Sequence, residues 1–180
     1  MVSRVRGVLA IAACVALSVG CTADPLAETE PERAGAEAQA GLAALWAGDD
    51  ATAEDQVAGC FAEEFAARTT TAQLVQADIV DASGAVAVEL PLLDAEMAAL
   101  WVDAQIACVD YVEESTRALV AQSKGTIDRT AYADCLRGDL TEDDLRSALV
   151  ASLTGQVDSP DIDVLSEAQL ACARVALPAE

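Results

Sequence analysis

The sequence predicts an all-α fold: a disulfide-stapled helical bundle preceded by a signal peptide and a flexible spacer. Three observations carry that prediction. Alanine is the most frequent residue and aromatics make up only 3% of the 180 residues, and alanine is the strongest helix former while aromatics favour strands. Serine, threonine and aspartate stand repeatedly just ahead of apolar runs with helical period, where a side-chain oxygen can satisfy the free N–H groups of a first turn. Beyond position 21 four cysteines remain, Cys60, Cys108, Cys135 and Cys172, an even number that implies two disulfides in an oxidising compartment. A four-thiolate zinc site is the alternative, but no pair has the close C-x-x-C spacing such sites use.

The chain divides into a signal at 1–20, an acidic proline-containing tether at 21–35 and a helical domain at 36–180. Arg4 and Arg6 precede an uncharged apolar run from Val8 to Val19, and small Gly20 precedes Cys21, the three-part layout of an export signal. The stretch Leu17-Ser18-Val19-Gly20-Cys21 resembles a bacterial lipobox, whose cysteine becomes the lipidated first residue of the mature protein. The leucine of that motif stands three residues before the cysteine, whereas here Ser18 holds that place and Leu17 lies one step earlier. The alternative is ordinary secretion, with Cys21 left as a thiol. Thr22 to Gly35 carries Pro25 and Pro31 and no apolar periodicity, as a spacer would.

Within the domain, Glu32 to Ala47 reads as a first short helix with Leu42, Leu45 and Trp46 on one side, ended by Gly48-Asp49-Asp50. Thr52 caps a second, in which Val57, Cys60, Phe61 and Phe65 form a buried stripe. Thr71 caps a short helix through Val80, and Ala85 to Val88 is an extended connection too short to make a sheet. Asp94 to about Ser123 is the longest helical segment, apolar on so much of its circumference that it belongs in the middle of the bundle. Asp128 caps a helix bearing Tyr132, Cys135 and Leu136. Thr141 with Asp144 caps the next, with Leu140 and Leu145 as a hydrophobic staple, and Asp158-Ser159-Pro160 closes it. Ser166 with Gln169 makes a capping box, and Leu165 with Leu170 a staple, so the last helix starts at Glu167.

Two cysteine contexts nearly coincide, Ala104-Gln105-Ile106-Ala107-Cys108 and Ala168-Gln169-Leu170-Ala171-Cys172, and those of Cys60 and Cys135 are looser versions. Their alternation suggests two tandem helical halves, 52–123 and 128–176. If each half closes on itself, Cys60 pairs with Cys108 and Cys135 with Cys172; four cysteines also allow two other pairings, which stay open.

Cysteines set within helices, together with acidic capping runs such as Leu140-Thr141-Glu142-Asp143-Asp144-Leu145, resemble small exported lipoproteins of actinobacteria. The resemblance spans Thr52 to Val175. It implies a lineage and carries no activity with it.

The chain has 31 acidic residues, 10 basic ones and no histidine, for a formal charge of −21. Loss of Arg4 and Arg6 with the signal leaves the remainder more negative still, which opposes binding to nucleic acid and to anionic lipid headgroups. Without histidine there is no Ser-His-Asp or Cys-His arrangement and no imidazole metal ligand. The single lysine, Lys124, has Ala121 three residues before it, which excludes an S-x-x-K nucleophile. Carboxylate pairs remain for glycoside hydrolysis, at Glu63 and Glu64, Asp143 and Asp144, or Asp161 and Asp163, with Trp46, Trp101, Tyr111 and Tyr132 as the only large platforms besides two phenylalanines. Asp158, Asp161, Asp163 and Glu167 lack the spacing of a calcium loop and read as a charged first helical turn. Trp46 and Trp101, at helical spacing beside leucines, read as core.

The expectation is therefore a lipoprotein held to the outer face of the cytoplasmic membrane through lipid on Cys21, with a secreted form as the alternative. No catalytic residue, cofactor or metal is expected. The domain would act as a non-enzymatic binding or interaction module for an envelope protein or a small apolar ligand. A carboxylate-based envelope hydrolase and a purely structural envelope protein are the alternatives. A binding module needs an apolar cleft or patch, an enzyme converging carboxylates with raised pKa values, and a structural protein neither.

Overall fold

A computed structural model describes residues 33–48 and 55–177. The lipobox cysteine Cys21, the spacer up to residue 32 and the expected Thr52 cap lie outside these residues; the last spacer positions belong to the domain instead, with Ala34 buried in the core and Arg33 bridged to Thr70. Eight helices follow in order: α1 (Ala36–Ala47), α2 (Asp55–Arg68), α3 (Thr71–Gln76), α4 (Ala95–Cys108), α5 (Tyr111–Gln122), α6 (Arg129–Asp139), α7 (Glu142–Leu153) and α8 (Pro160–Val175). Among the described residues there is no sheet, only isolated bridges between Arg33 and Thr70 and between Val80 and Val86.

Packing order differs from chain order. α1 lies on α2, α2 on α4, α4 on α7, α7 on α8, α8 on α6, and α6 on α5. α4 is central to this relay because its alanines let helices approach from two sides: Ala98 and Ala104 are fully buried beside Met97, Trp101 and Val102. Its Asp103 receives a forked pair of bonds from Arg146 of α7, Nε to Oδ1 at 2.7 Å and a terminal nitrogen to Oδ2 at 3.2 Å.

Two apolar clusters result. The first gathers Leu42, Phe61, Phe65, Leu74, Ile79 and Trp101, with Val150 and Leu153 of α7 leaning on it. Its rings pack in a chain, Trp46 to Phe61 at 5.7 Å, Phe61 to Trp101 at 4.6 Å and Trp101 to Phe65 at 5.0 Å between centroids. The second is smaller, built on Tyr132, Leu136, Cys172 and Ala176, with Val112 and Leu119 of α5 and Leu140 against it. Two disulfides are present: Cys135 to Cys172 joins α6 to α8 within the second cluster, and Cys60 to Cys108 joins α2 to the end of α4, the helices that carry much of the first. Each bridge therefore links two helices that already pack together.

α1 starts at Ala36, not Glu32, and α3 stops at Gln76, short of Val80; three further boundaries differ from the sequence expectation for a capping reason. The long segment from Asp94 breaks at Val109, whose backbone is extended, and Asp110 accepts a bond from the Glu113 N–H at 3.0 Å to begin a separate α5. Asp-x-x-Glu is a cap signature, and β-branched Val109 prefers an extended backbone. The break turns α5 away from α4 and onto α6, so α5 packs with the second cluster although the expected halves put it in the first. α8 begins at Pro160 and not at Glu167, because Ser159 accepts from the Asp161 N–H at 3.3 Å and proline fits a first helical position that needs no donor. Ser166 lies inside the helix as a result, and Leu170 of the expected staple is exposed. α3 is capped by Thr70, one residue earlier than expected, in a reciprocal box with Gln73.

The segment after α3 is an irregular strap laid on α1 and α7. Asp81 accepts from the Ser83 and Ala85 N–H groups and from the Ser83 hydroxyl, which sets the turn that sends Val86 down onto α1. The Leu93 N–H then bonds the Leu153 carbonyl at the end of α7, 3.0 Å away.

Candidate functional site

The turn between α4 and α5 opens a cleft. Breaking the helix at Val109 moves α5 aside and leaves a cavity of about 360 Å³ among α1, α2 and the α4–α5 junction. Its apolar lining comes from Trp46, Val57 and Val109, with Cys108 and Tyr111 beside them. Around it stand Asp110, Glu113, Glu114 and Arg117. Glu114 pairs with Arg117 along α5, and Glu113 pairs with Arg129 of α6. Trp46 packs against the first cluster as expected, stacking on Phe61, but is half-buried and contributes to the cleft wall as well. Trp101, by contrast, is 4% exposed and belongs to the core.

On the other side of α5 lies a shallower groove of about 450 Å³, between α5, α6 and α8. Here a polar network crosses the second cluster. The Gln169 side-chain amide donates to the Tyr111 hydroxyl at 2.7 Å and reaches the Ser115 hydroxyl at 3.4 Å, which shares a proton with the Tyr132 hydroxyl at 3.0 Å. Burial pushes the Tyr111 phenol above its ordinary pKa and neighbouring Tyr132 adds to the shift, so the ring keeps its proton and serves as a neutral hydrogen-bonding group. Tyr111 thus belongs to the cleft wall and to this network alike. Sequence patterning marked Gln169 as a helix cap and the tyrosines as scarce platforms; only Tyr111 and Ser115, four apart on one helix face, hinted at a shared role.

The carboxylate pairs considered for catalysis are dispersed. Glu64 is tied to Arg68 one helical turn on, while Asp144 closes the capping box with Thr141. Asp161 and Asp163 sit in the exposed first turn of α8, where Asp161 also receives the Ser159 hydroxyl. Among the described residues three aspartates have displaced pKa values, all downward. Asp103 is lowered by the Arg146 hydrogen bond and charge against a smaller effect of burial, Asp144 by Thr141, and Asp81 by Ser83 and Ala85. Each net shift favours the anion, which is the reverse of what a general acid requires.

Asp139 lies against the second disulfide, one carboxylate oxygen 3.7 Å from the Cys135 sulfur and 3.6 Å from that of Cys172. Bridged sulfurs carry no proton, so these are contacts without hydrogen bonds. The three side chains are close enough to hold a metal ion together, but metal ligation needs thiolates, and the disulfide leaves none.

The class defined by these features is a small all-α bundle with two intramolecular disulfides and a cleft at a helix break. No family model, curated protein or solved structure matches the chain.

Proposed function

We propose that this chain is an extracytoplasmic, lipid-anchored binding module, in which a helical domain tethered through Cys21 takes a partner or small molecule at the Trp46–Tyr111 cleft. The observation that carries the reading is the cleft itself: it lies between helices, is floored by an aromatic ring and aliphatic side chains, and falls in the size range of small-molecule sites. The downward-displaced aspartates weigh against the hydrolase alternative, which asks for a carboxyl that holds its proton at neutral pH. Two disulfides accord with export, and the Arg4, Arg6, apolar run and Cys21 layout supports the tether.

Peptide-mapped mass spectrometry of unreduced protein, purified from its native membrane, tests the anchor. The expected result is an N-terminal peptide beginning at Cys21 with acyl chains attached. An unmodified Cys21, or a start beyond it, would leave a secreted domain and remove the membrane from the proposal.

A further inference from the structure

We infer that the cleft takes a monovalent organic cation carrying an aromatic or alkyl body, an inference that rests on the cleft being the binding site. Two features of its lining carry it. One is apolar: Trp46, Val57 and Val109 offer a ring and branched side chains to a hydrophobic body. The other is charge: Asp110, Glu113 and Glu114 line the same cavity with a single lining guanidinium, Arg117, which pairs with Glu114. Even with Arg129, which pairs with Glu113 from outside the lining, the carboxylates outnumber the cations, so the cavity keeps negative charge next to an aromatic surface. That combination favours ammonium groups, which gain both from carboxylates and from the face of an indole.

An anion is the obvious competitor, since a helix begins here and helix N-termini attract negative charge. In this chain the attraction is already used: Asp110 accepts from the Glu113 N–H, and Glu113 and Glu114 occupy the first turn. A formal chain charge of −21 further repels an approaching anion and draws in a cation.

The test uses three probes of nearly one shape, 4-phenylbutylammonium, 4-phenylbutanol and 4-phenylbutyrate, titrated into the full chain with its disulfides intact at low ionic strength and followed by calorimetry and amide chemical shifts. The ammonium should bind at least tenfold more tightly than the alcohol, the butyrate should bind most weakly, and shifts should centre on Trp46, Val109 and Tyr111. Added salt should narrow the gap between ammonium and alcohol. Glu114→Gln, a change on a partly exposed helix face, should narrow it too, chiefly by weakening the ammonium. If the alcohol binds as tightly as the ammonium, the cation inference fails and the cleft survives as a binding site. If none of the three shifts the cleft residues at millimolar concentration, the cleft reading fails as well.

Discussion

The two apolar clusters are held by different means. The first is assembled from large rings and aliphatic chains at close quarters: Phe61, Phe65, Leu42, Leu74 and Ile79 are fully buried, and four aromatic rings pack against one another. The second contains no phenylalanine or tryptophan. It buries Tyr132, Leu136, Cys172 and Ala176, and beside them the half-buried Tyr111–Gln169–Ser115–Tyr132 network ties α5, α6 and α8 together along the groove. A disulfide lies within the second and another joins α2 to α4 beside the first, with similar sequence separations of 37 and 48 residues. Chain-entropy arguments assign each about 4 kcal/mol, yet that contribution is a larger share of what holds the second cluster together. Apolar burial dominates where rings are available, and covalent closure compensates where they are not.

Removing the bridges one at a time breaks this comparison most directly. Replacing Cys135 and Cys172 by serine should cost about 4 kcal/mol and strip amide-exchange protection from α5, α6 and α8 before α2 and α4 lose theirs. The matching change at Cys60 and Cys108 should cost a similar amount while leaving residual protection around Phe61 and Trp101. Native-state hydrogen exchange distinguishes the two outcomes, and identical protection losses in both variants would show that the clusters unfold as one.

Core truncation probes the first cluster alone. Phe61→Ala should destabilise by about 3–5 kcal/mol, because three neighbouring rings lose their shared partner. Its effect on a denaturation midpoint should exceed that of Leu136→Val in the second cluster severalfold.

Close packing of the strap on α1 gives a smaller effect. A Cβ at Gly41 would come within 2.5 Å of a Val86 methyl and 2.8 Å of its Cβ, and a β-branched side chain has few rotamers with which to retreat. Gly41→Ala should therefore cost about 1 kcal/mol net, overpacking of about 1–3 kcal/mol outweighing the helix-propensity gain of about 1 kcal/mol. Adding Val86→Ala should recover part of that loss, which a double-mutant cycle in urea would read.

The polar network sharpens the other side. Tyr132→Phe deletes the hydroxyl bonded to Ser115 and should lower stability by about 1 kcal/mol. That change should perturb α5 and α8 amides and leave the aromatic chain of the first cluster unmoved.

The link between α4 and α7 adds a pH dependence. Asp103 has its folded pKa lowered, first by the Arg146 hydrogen bond and then by Arg146 charge. Its contribution is therefore fully present above the unfolded-state carboxylate value, near 4, and is lost as pH falls through the lower folded value. The stability difference between the wild type and Asp103→Asn, read by urea midpoints from pH 6 down to pH 2.5, should shrink steadily below about pH 4. A difference independent of pH would mean that the Asp103 charge contributes nothing across this contact.

Local chemistry was legible wherever the relevant partners lie within one turn of each other. The Thr141–Asp144 box, the Asp128 cap and the Asp94 cap all act over three residues, so residue types at fixed offsets sufficed to place them. The misplaced boundaries show the limit of the same logic. The apolar helical stripe continues through Val109, Tyr111 and Val112, so periodicity alone runs one helix past Asp110 and hides its cap signature. At α8 the capping box from Ser166 to Gln169 competed with Ser159-Pro160, and the earlier start prevailed because α8 packs on α6 and α7 along its length.

By itself the sequence determined the all-α class, the core rings Phe61, Phe65 and Trp101, the extended character of the strap, and most helix starts, since all follow from propensity, period and short-range hydrogen bonds. It left three cysteine pairings open, and it contained no sign that Trp46 and Tyr111 would line one cleft, or that Gln169 would bond Tyr111 and Ser115. Those meetings depend on the break at Val109, which swings α5 away from α4, and on α4 reaching past two helices to α7. Contacts between residues far apart in the chain are set by how whole helices bury their faces together, a global balance that no local spacing records.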